Sequence, residues 1–499
     1  MIDNANYAIC FTFLAYFIVM FGIGLYAYKL TSNSEDYFLG GRSLGPWPTA
    51  ISAGASDMSG WLLLGLPGAA FQSGIESLWL VSGLLGGTWL NWLLCAKRLR
   101  TYSIEANNSL TIPCFLANRF QDKSKLIQTI SAAFILLFFL FYTSSGLVAG
   151  GKLFETAFHI DHTYAVVIGT LCVVSYTLCG GFLAVAWTDI VQGLMMAAAL
   201  VIVPLLVIDG SWSDLPSTLA AKNPALLNIW NNAKGEPLSF IGILSPVAWG
   251  LGYFGQPHIL ARFKASRSNK DIKTARRIAL SWTFLSLAGA LAVGLSGIAY
   301  IDDHLGGTIS DPETIFIVVS NAVFNPVVSG ILLAAVLAAI MSTADSQLLV
   351  SSSALAEDVY KHLIRKHATQ KEIVNVGRFA VVAISIVALV LALNSQSSVI
   401  GLVSYAWAGF GAAFGPAIIL SLFWRNMHRN GALAGIIVGG VTIVVWKQLH
   451  GGVFELYELV PGFILSTLAI IFFSLISGAP EKKVTDMFDD YSTSLETME

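Results

Sequence analysis

Long runs without one charged residue, set between short segments that gather the charge, decide what this chain can fold into. Residues 7–28, 127–151 and 163–185 hold no Asp, Glu, Lys or Arg. Each run is long enough to cross the hydrocarbon layer of a bilayer, which takes a helix of about 20 residues. No water reaches the backbone there, so each N–H and C=O must be satisfied within the segment or in a closed barrel. Runs of this length without strict alternation select the helix. Only 12% of the 499 residues are charged and mean hydropathy is +0.70, whereas a soluble domain carries about 25% charge. The fold class is therefore all-α and integral to the lipid bilayer.

Windows that can span run 7–28, 47–68, 76–96, 127–151, 163–185, 189–209, 239–259, 278–301, 327–356, 377–394, 399–424, 432–449 and 455–477, thirteen in number. The apolar but short segment 315–325 reads as a re-entrant or interfacial helix. Lys and Arg collect in cytoplasmic loops, which tests the count. With the N-terminus outside, all of the 28 Lys and Arg residues fall on the inner side except Lys152, Lys222, Lys234 and Lys447. One span more or fewer in mid-chain would invert every later loop and destroy that partition. The reading is a multi-pass protein with N-terminus outside and C-terminus inside. The opening Met-Ile-Asp-Asn lacks the basic start of a signal peptide, so 7–28 is taken as the first span. The tail from 479 is acidic and rich in Ser and Thr and reads as disordered.

Several functions are excluded early. A net charge of −2 points to no nucleic acid or other polyanion. Cys10, Cys95, Cys114, Cys172 and Cys179 are scattered and read as buried apolar thiols, neither a disulfide framework nor a metal site. Gly250-Leu-Gly252-Tyr-Phe-Gly255 matches a dinucleotide fingerprint, but that motif has meaning only between a strand and a helix. No nucleophile–base pair stands out, so an enzyme is not expected. Nor is an obligate protein partner.

Two windows break the pattern. The second holds Ser52-Ala-Gly54-Ala-Ser56-Asp57-Met-Ser59-Gly60-Trp61, and the seventh holds Trp249-Gly250-Leu-Gly252-Tyr253-Phe-Gly255-Gln256-Pro257. Glycine and proline weaken the helix ladder, and unwound backbone at membrane depth survives only where it is buried in protein or lines a cavity. Broken helices at matching places in two halves point to a transporter's central site. Spans two and seven are five apart, so spans 2–6 and 7–11 read as two five-helix repeats of opposite orientation. The divisions are 1–46 (first helix and cytoplasmic lead-in), 47–209 (repeat 1), 210–238 (extracellular loop), 239–424 (repeat 2), 425–478 (spans 12–13) and 479–499 (cytoplasmic tail).

Asp57 carries the strongest functional signal, because a carboxylate in mid-span costs about 2.5–3.5 kcal/mol on insertion scales. In the ninth span, Ser342 and Thr343 place adjacent hydroxyls beside Asp345. Hydroxyls with carbonyls freed by a break form an all-oxygen cage suited to a small hard cation, without soft ligands for a transition metal. With Gly40–Pro46, Ser52–Trp61, Trp249–Phe263, Ala339–Ser346 and Ser404–Pro416, the chain resembles the sodium:solute symporters over essentially its whole length. The second and third segments resemble the bacterial proline branch. That resemblance implies thirteen transmembrane helices with a five-plus-five, LeuT-like inverted-repeat core in a bacterial inner (cytoplasmic) membrane, and symport of sodium ion with L-proline. It implies sodium held by the carbonyls of Ala55, Met58 and Ala339 and the hydroxyls of Ser342 and Thr343. Asp57 would support sodium affinity. Asp189, taken to open the sixth span near its cytoplasmic end, would serve ion release, and Arg42 would serve coupling. Asp345 either binds a second cation or anchors its helix.

Proline is a zwitterion with a small apolar ring. Its carboxylate suits a half-helix N-terminus, its ammonium suits acceptors or an aromatic face, and its ring suits a close apolar wall. Ser59, Trp61, Tyr142, Trp249, Tyr253 and Pro257 offer that mix, and by the resemblance line the pocket, with Gln256 as a further polar contact. The alternative is sodium symport of pantothenate, a sugar or sialic acid. A sugar site, however, would carry more amides and carboxylates near the breaks.

Overall fold

A computed structural model describes residues 4–29, 34–177, 181–208, 212–304, 306, 309–394 and 398–497. The described residues form helices throughout, with no strand and only the isolated bridges Leu44–Ser266 and Asn231–Pro237. Among them, ten helical stretches are long and apolar enough to cross a membrane. Three shorter apolar helices, His162–Ser175, Phe240–Gly255 and Pro312–Val323, accompany them.

The helix Pro326–Ser353 is the axis of the molecule. It packs against Asn4–Tyr28, Pro46–Asp57, Leu126–Phe158 and Phe182–Val207, and its most apolar window is 83% buried. Its run Ala334-Ala335-Val-Leu-Ala338-Ala339 explains how four neighbours can approach so closely, since small side chains let helix backbones come together where no hydrophobic force separates protein from lipid. Glycines act likewise around the broken seventh segment. A Cβ on Gly87 would lie 2.3 Å from the Gly250 carbonyl oxygen, and one on Gly255 would lie 2.1 Å from that of Phe410. The break is thus clamped backbone to backbone from two sides. The short segment at 315–325 is helical over Ile315–Val323, with Ile315, Phe316, Ile317 and Val319 buried in the core.

Three expectations are corrected. The tail is not disordered through 497: Lys482–Thr497 is a helix docked on Lys97–Glu105. Val484, Met487, Phe488, Tyr491 and Leu495 form one apolar stripe packed on the main core, and Tyr491 stacks on Tyr102 at 4.1 Å. Second, the sixth helix starts at Phe182, after Gly181. Asp189 therefore sits two turns inside it, about 10 Å at 1.5 Å per residue, rather than at its opening. Third, Cys10 is exposed and Cys114 and Cys172 are half-buried, leaving only Cys95 as a buried thiol among the described cysteines; Cys179 lies outside the described residues.

Candidate functional site

The two breaks fall where glycine and proline place them. Pro46–Asp57 ends when Met58 leaves helical geometry (φ −88°, ψ 75°) with its N–H on the Gly54 carbonyl at 2.9 Å. The chain resumes at Trp61 in a wide π-type turn, Trp61–Gly65, and continues as Leu66–Ser73. A Cβ on Gly60 would stand 2.7 Å from that of Ala149, so the linking residues lie flat against the Leu126–Phe158 helix. In the seventh segment, Phe240–Val247 tightens into a 3₁₀ stretch, Ala248–Gly255. Gln256 is then extended (φ −77°, ψ 107°) before Pro257–Ala265 begins a new helix. Proline suits that first position, where its missing N–H costs no helical bond.

Four of the five oxygens expected to hold a cation meet beside the first break. The Ser342 hydroxyl donates to the Ala55 carbonyl at 2.8 Å and lies 3.1 Å from that of Ala339, and the Thr343 hydroxyl donates to the Ala55 carbonyl at 3.2 Å. All four residues are at most 1% exposed. The fifth, Met58, is placed at the break by its backbone alone. The donor set is hydroxyl and carbonyl oxygen, which fits a hard cation: an entering ion takes the lone pairs while the two hydroxyl hydrogens rotate away.

Asp57 ends the same helix and ties the two breaks together. Its Oδ2 accepts from the Tyr253 hydroxyl at 2.8 Å, and its carbonyl accepts from the Tyr142 hydroxyl at 2.9 Å. Ser59 lies in the break itself, its N–H on the Asp57 carbonyl at 3.1 Å and its hydroxyl taking the Trp61 N–H at 3.4 Å. The Trp61 and Trp249 rings stand 6.3 Å apart, Trp249 stacks on Tyr457 at 5.6 Å, and Tyr253 meets Trp407 edge-on at 4.9 Å. Gln256 spends its amide N–H groups on the carbonyls of Gly252 and Trp407, holding the unwound turn. The structure therefore brings Ser59, Trp61, Tyr142, Trp249, Tyr253, Gln256 and Pro257 onto or beside the two breaks. It gives Gln256 and Tyr253 bracing contacts as well.

Among the buried polar atoms without a hydrogen-bond partner, Asp57 Oδ1, Trp61 Nε1, Gln256 Oε1 and both ring nitrogens of His258 lie on the two breaks; others are spread through the molecule. His258 lies edge-on to Phe139 and Tyr142, next in sequence to Pro257. An unsatisfied buried polar atom costs about 1–3 kcal/mol, and a polar occupant of the breaks would offset that cost.

Asp189 and Arg42 lie off this centre. Asp189 is buried, its Oδ2 accepting from Ser52 at 2.6 Å and from Arg262 at 3.3 Å. Arg262 is not marked out in the sequence, because it is one of a run of seven inner Lys and Arg residues and reads there as a solvated loop charge; it is wholly buried. Arg42 is half-buried and reaches Asn108, Ser103 and the carbonyls of Lys264 and Ser109. Burial lowers its pKa to about 10, opposed by Glu35 and aided by Arg100, so it stays a cation at neutral pH. Nearby, the Leu44 N–H donates to the Ala265 carbonyl at 3.1 Å and the Leu44 carbonyl accepts from the Arg267 N–H at 2.9 Å. The lead-in to the second helix is thereby zipped to the end of the broken seventh.

Comparison with known proteins agrees with this architecture. The chain is 54% identical over 475 residues to the high-affinity proline transporter PutP of Bacillus subtilis (strain 168), covering 95% of this chain and 99% of that one. It is 51% identical over 480 residues to the sodium/proline symporter of Escherichia coli (strain K12), covering 96% and 95%. A substrate-bound, outward-open Na+-coupled sialic acid symporter shares the fold at a TM-score of 0.77 and 19% identity, over 97% of this chain and 100% of the other. A nucleobase-cation-symport-1 family transporter superposes at 0.57 and 15% identity, over 91% and 98%. The profile of the sodium:solute symporter family matches residues 37–439. This chain belongs to the sodium:solute symporter family.

Proposed function

We propose that the protein carries L-proline into a bacterial cell together with sodium, by alternating access, and is a transporter rather than an enzyme. The observation that carries this reading is the meeting of Ala55, Ala339, Ser342 and Thr343 oxygens beside the first break, at the end of a helix whose last residue, Asp57, is tied to the second break through Tyr253. Identity of 54% and 51% to proline transporters over nearly whole chains supports proline as the solute.

Sodium enters among the five oxygens, Met58 included, and Asp57 offsets its charge from the neighbouring position. The ion draws Pro46–Asp57 toward Pro326–Ser353 and fixes the break. Tyr253 then stays on Asp57, and the first turn of Pro257–Ala265 is presented to the solute. The N–H groups of His258 and Ile259 precede the first helical bond, which runs from Leu260 to the Gln256 carbonyl; they sit at the positive end of the helix dipole, where they receive the proline carboxylate. Trp61, Trp249 and Tyr142 face the ring and the ammonium, Ser59 and Gln256 add polar contacts, and Pro257 closes the wall. The Lys and Arg partition supports thirteen spans with the N-terminus outside and the C-terminus inside, and the five-span separation of the two breaks supports two five-helix repeats (47–209 and 239–424). Arg42 holds the inner end closed until coupling releases it, and Asp189 lies on the ion's inward route.

The test is uptake of radiolabelled L-proline into proteoliposomes under an inward sodium gradient, with unlabelled proline, pantothenate, a sugar and sialic acid as competitors. Sodium-stimulated uptake suppressed by proline alone is expected. Uptake of another solute with sodium in place of proline would overturn the substrate assignment, and uptake indifferent to sodium would overturn the coupling.

A further inference from the structure

The cation site and the buried Arg262 cluster occupy adjacent turns of the same two helices. In the upper layer, Ala55 of Pro46–Asp57 meets Ser342 of Pro326–Ser353. One turn lower, Ser52 on the first helix and Ser346 on the second are both bound by one guanidinium. Arg262 Nε donates to the Ser52 hydroxyl at 3.0 Å, and Nη2 donates to the Ser346 hydroxyl at 2.5 Å and to Asp189 Oδ2 at 3.3 Å. Nη1 returns to the His258 carbonyl of its own helix at 3.0 Å. The layers are also joined directly, because the Ser346 hydroxyl donates to the Ser342 carbonyl at 2.9 Å. Arg262 stands on Pro257–Ala265, the half-helix that leaves the substrate break toward the cytoplasm. It ties that half-helix to three others at once.

We infer that Arg262 is a positioning residue that latches the cytoplasmic half of the broken seventh helix while sodium is bound. The inference rests on the sodium-symport reading above. A planar guanidinium bridges Ser52 and Ser346 only while their helices are held at one separation, and sodium between Ala55 and Ser342 sets that separation one turn away. When the ion leaves, the helices part, the fork spans them no longer, and Pro257–Ala265 is free to swing. The inner side then opens at a cavity of about 20 Å³ that Pro257, Ala261, Lys264, Leu349 and Ser353 line. Loss of one partner strands a buried charge, so the latch is held closed or released as a unit.

The experiment places a single cysteine at Ala261, on the wall of that cavity, in an otherwise cysteine-free protein in proteoliposomes. Alkylation by a maleimide is timed with and without sodium, with Arg262 intact and as Arg262→Gln, Arg262→Lys and the milder Ser346→Ala. Proline uptake by the parent protein is measured alongside, so failure of the symport reading shows separately as absence of sodium-stimulated uptake. With Arg262, sodium is expected to slow alkylation about tenfold, a coupling of ordinary size for linked sites. The Gln variant should lose that protection, Lys should restore part of it, and Ser346→Ala should weaken it. Equal protection in the parent, Gln and Ser346→Ala proteins, or none in the parent while uptake stays sodium-driven, would overturn the latch.

Discussion

Asp57 shows how much one side chain can organise. Its carboxylate takes the Tyr253 hydroxyl from the second break and its carbonyl takes the Tyr142 hydroxyl, so a shift at either break is felt at the other. Removing the Tyr253 hydroxyl as Tyr253→Phe strands a buried carboxylate oxygen, a loss of about 1–3 kcal/mol. Thermal unfolding of the purified protein should fall measurably, and an unchanged melting temperature would show that this bond holds nothing. Thr343→Ala deletes one expected ligand and leaves the packing. We expect the sodium concentration for half-maximal uptake to rise about tenfold, ~1.4 kcal/mol, while the proline concentration for half-maximal uptake at saturating sodium moves much less. At this scale residue types were legible and partners were not. A carboxylate in a glycine-rich span and paired hydroxyls on another announce themselves, but nothing local links Asp57 to Tyr253, far along the chain. Arg262 was hidden by its company: its neighbours Arg267, Lys270 and Lys273 are exposed charges, and only the fold turns it inward.

At the scale of elements, the breaks depend on glycines that a methyl group would ruin. A Cβ on Gly252 would lie 1.9 Å from Trp407 Nε1, and one on Gly255 would lie 2.1 Å from a carbonyl that has nowhere to move. Overpacking of a core typically costs about 1–3 kcal/mol and more against rigid backbone. Gly255→Ala should therefore reduce the folded fraction seen by size-exclusion chromatography, whereas Gly22→Ala, with nothing within 4 Å of its Cβ, should elute as the parent does. Normal folding of Gly255→Ala would contradict the clamped break. The C-terminal helix carries its own signal: Val484, Met487, Phe488, Tyr491 and Leu495 repeat at helical spacing. Composition masked it, because Asp, Ser and Thr between them are weak helix formers and the stripe gains its energy only by docking. Tyr491→Ala removes the ring stacked on Tyr102 and should speed tryptic cleavage at Lys482–Lys483 severalfold; an unchanged cleavage rate would mean that the helix is held elsewhere. The fifth and sixth windows met at the wrong place for a related reason, since an uncharged run gives no mark of where one helix stops.

For the whole molecule, the energetics of coupling are adequate with a single ion. A charge moved through 100 mV yields about 2.3 kcal/mol and a tenfold sodium gradient adds about 1.4 kcal/mol, together enough for roughly 500-fold accumulation. Every predicted pocket or ion residue within the membrane-spanning segments is buried, so this conformer keeps both sites from water. Arg42 bonds the lead-in to the 103–109 segment and to Lys264. In a separate set of ties, Lys152 pairs with Asp311 and Glu313, and Glu313 also receives the N–H groups of Val399 and Ile400. Alternating access then amounts to releasing one set of ties while the other holds. The most direct test of the central claim is equilibrium binding of L-proline to purified protein as sodium is titrated, for the parent and Ser342→Ala. The account predicts that sodium tightens proline binding in the parent, and that Ser342→Ala needs about tenfold more sodium to reach the same affinity. Proline affinity that does not change with sodium, or a sodium requirement unaltered by Ser342→Ala, would contradict it.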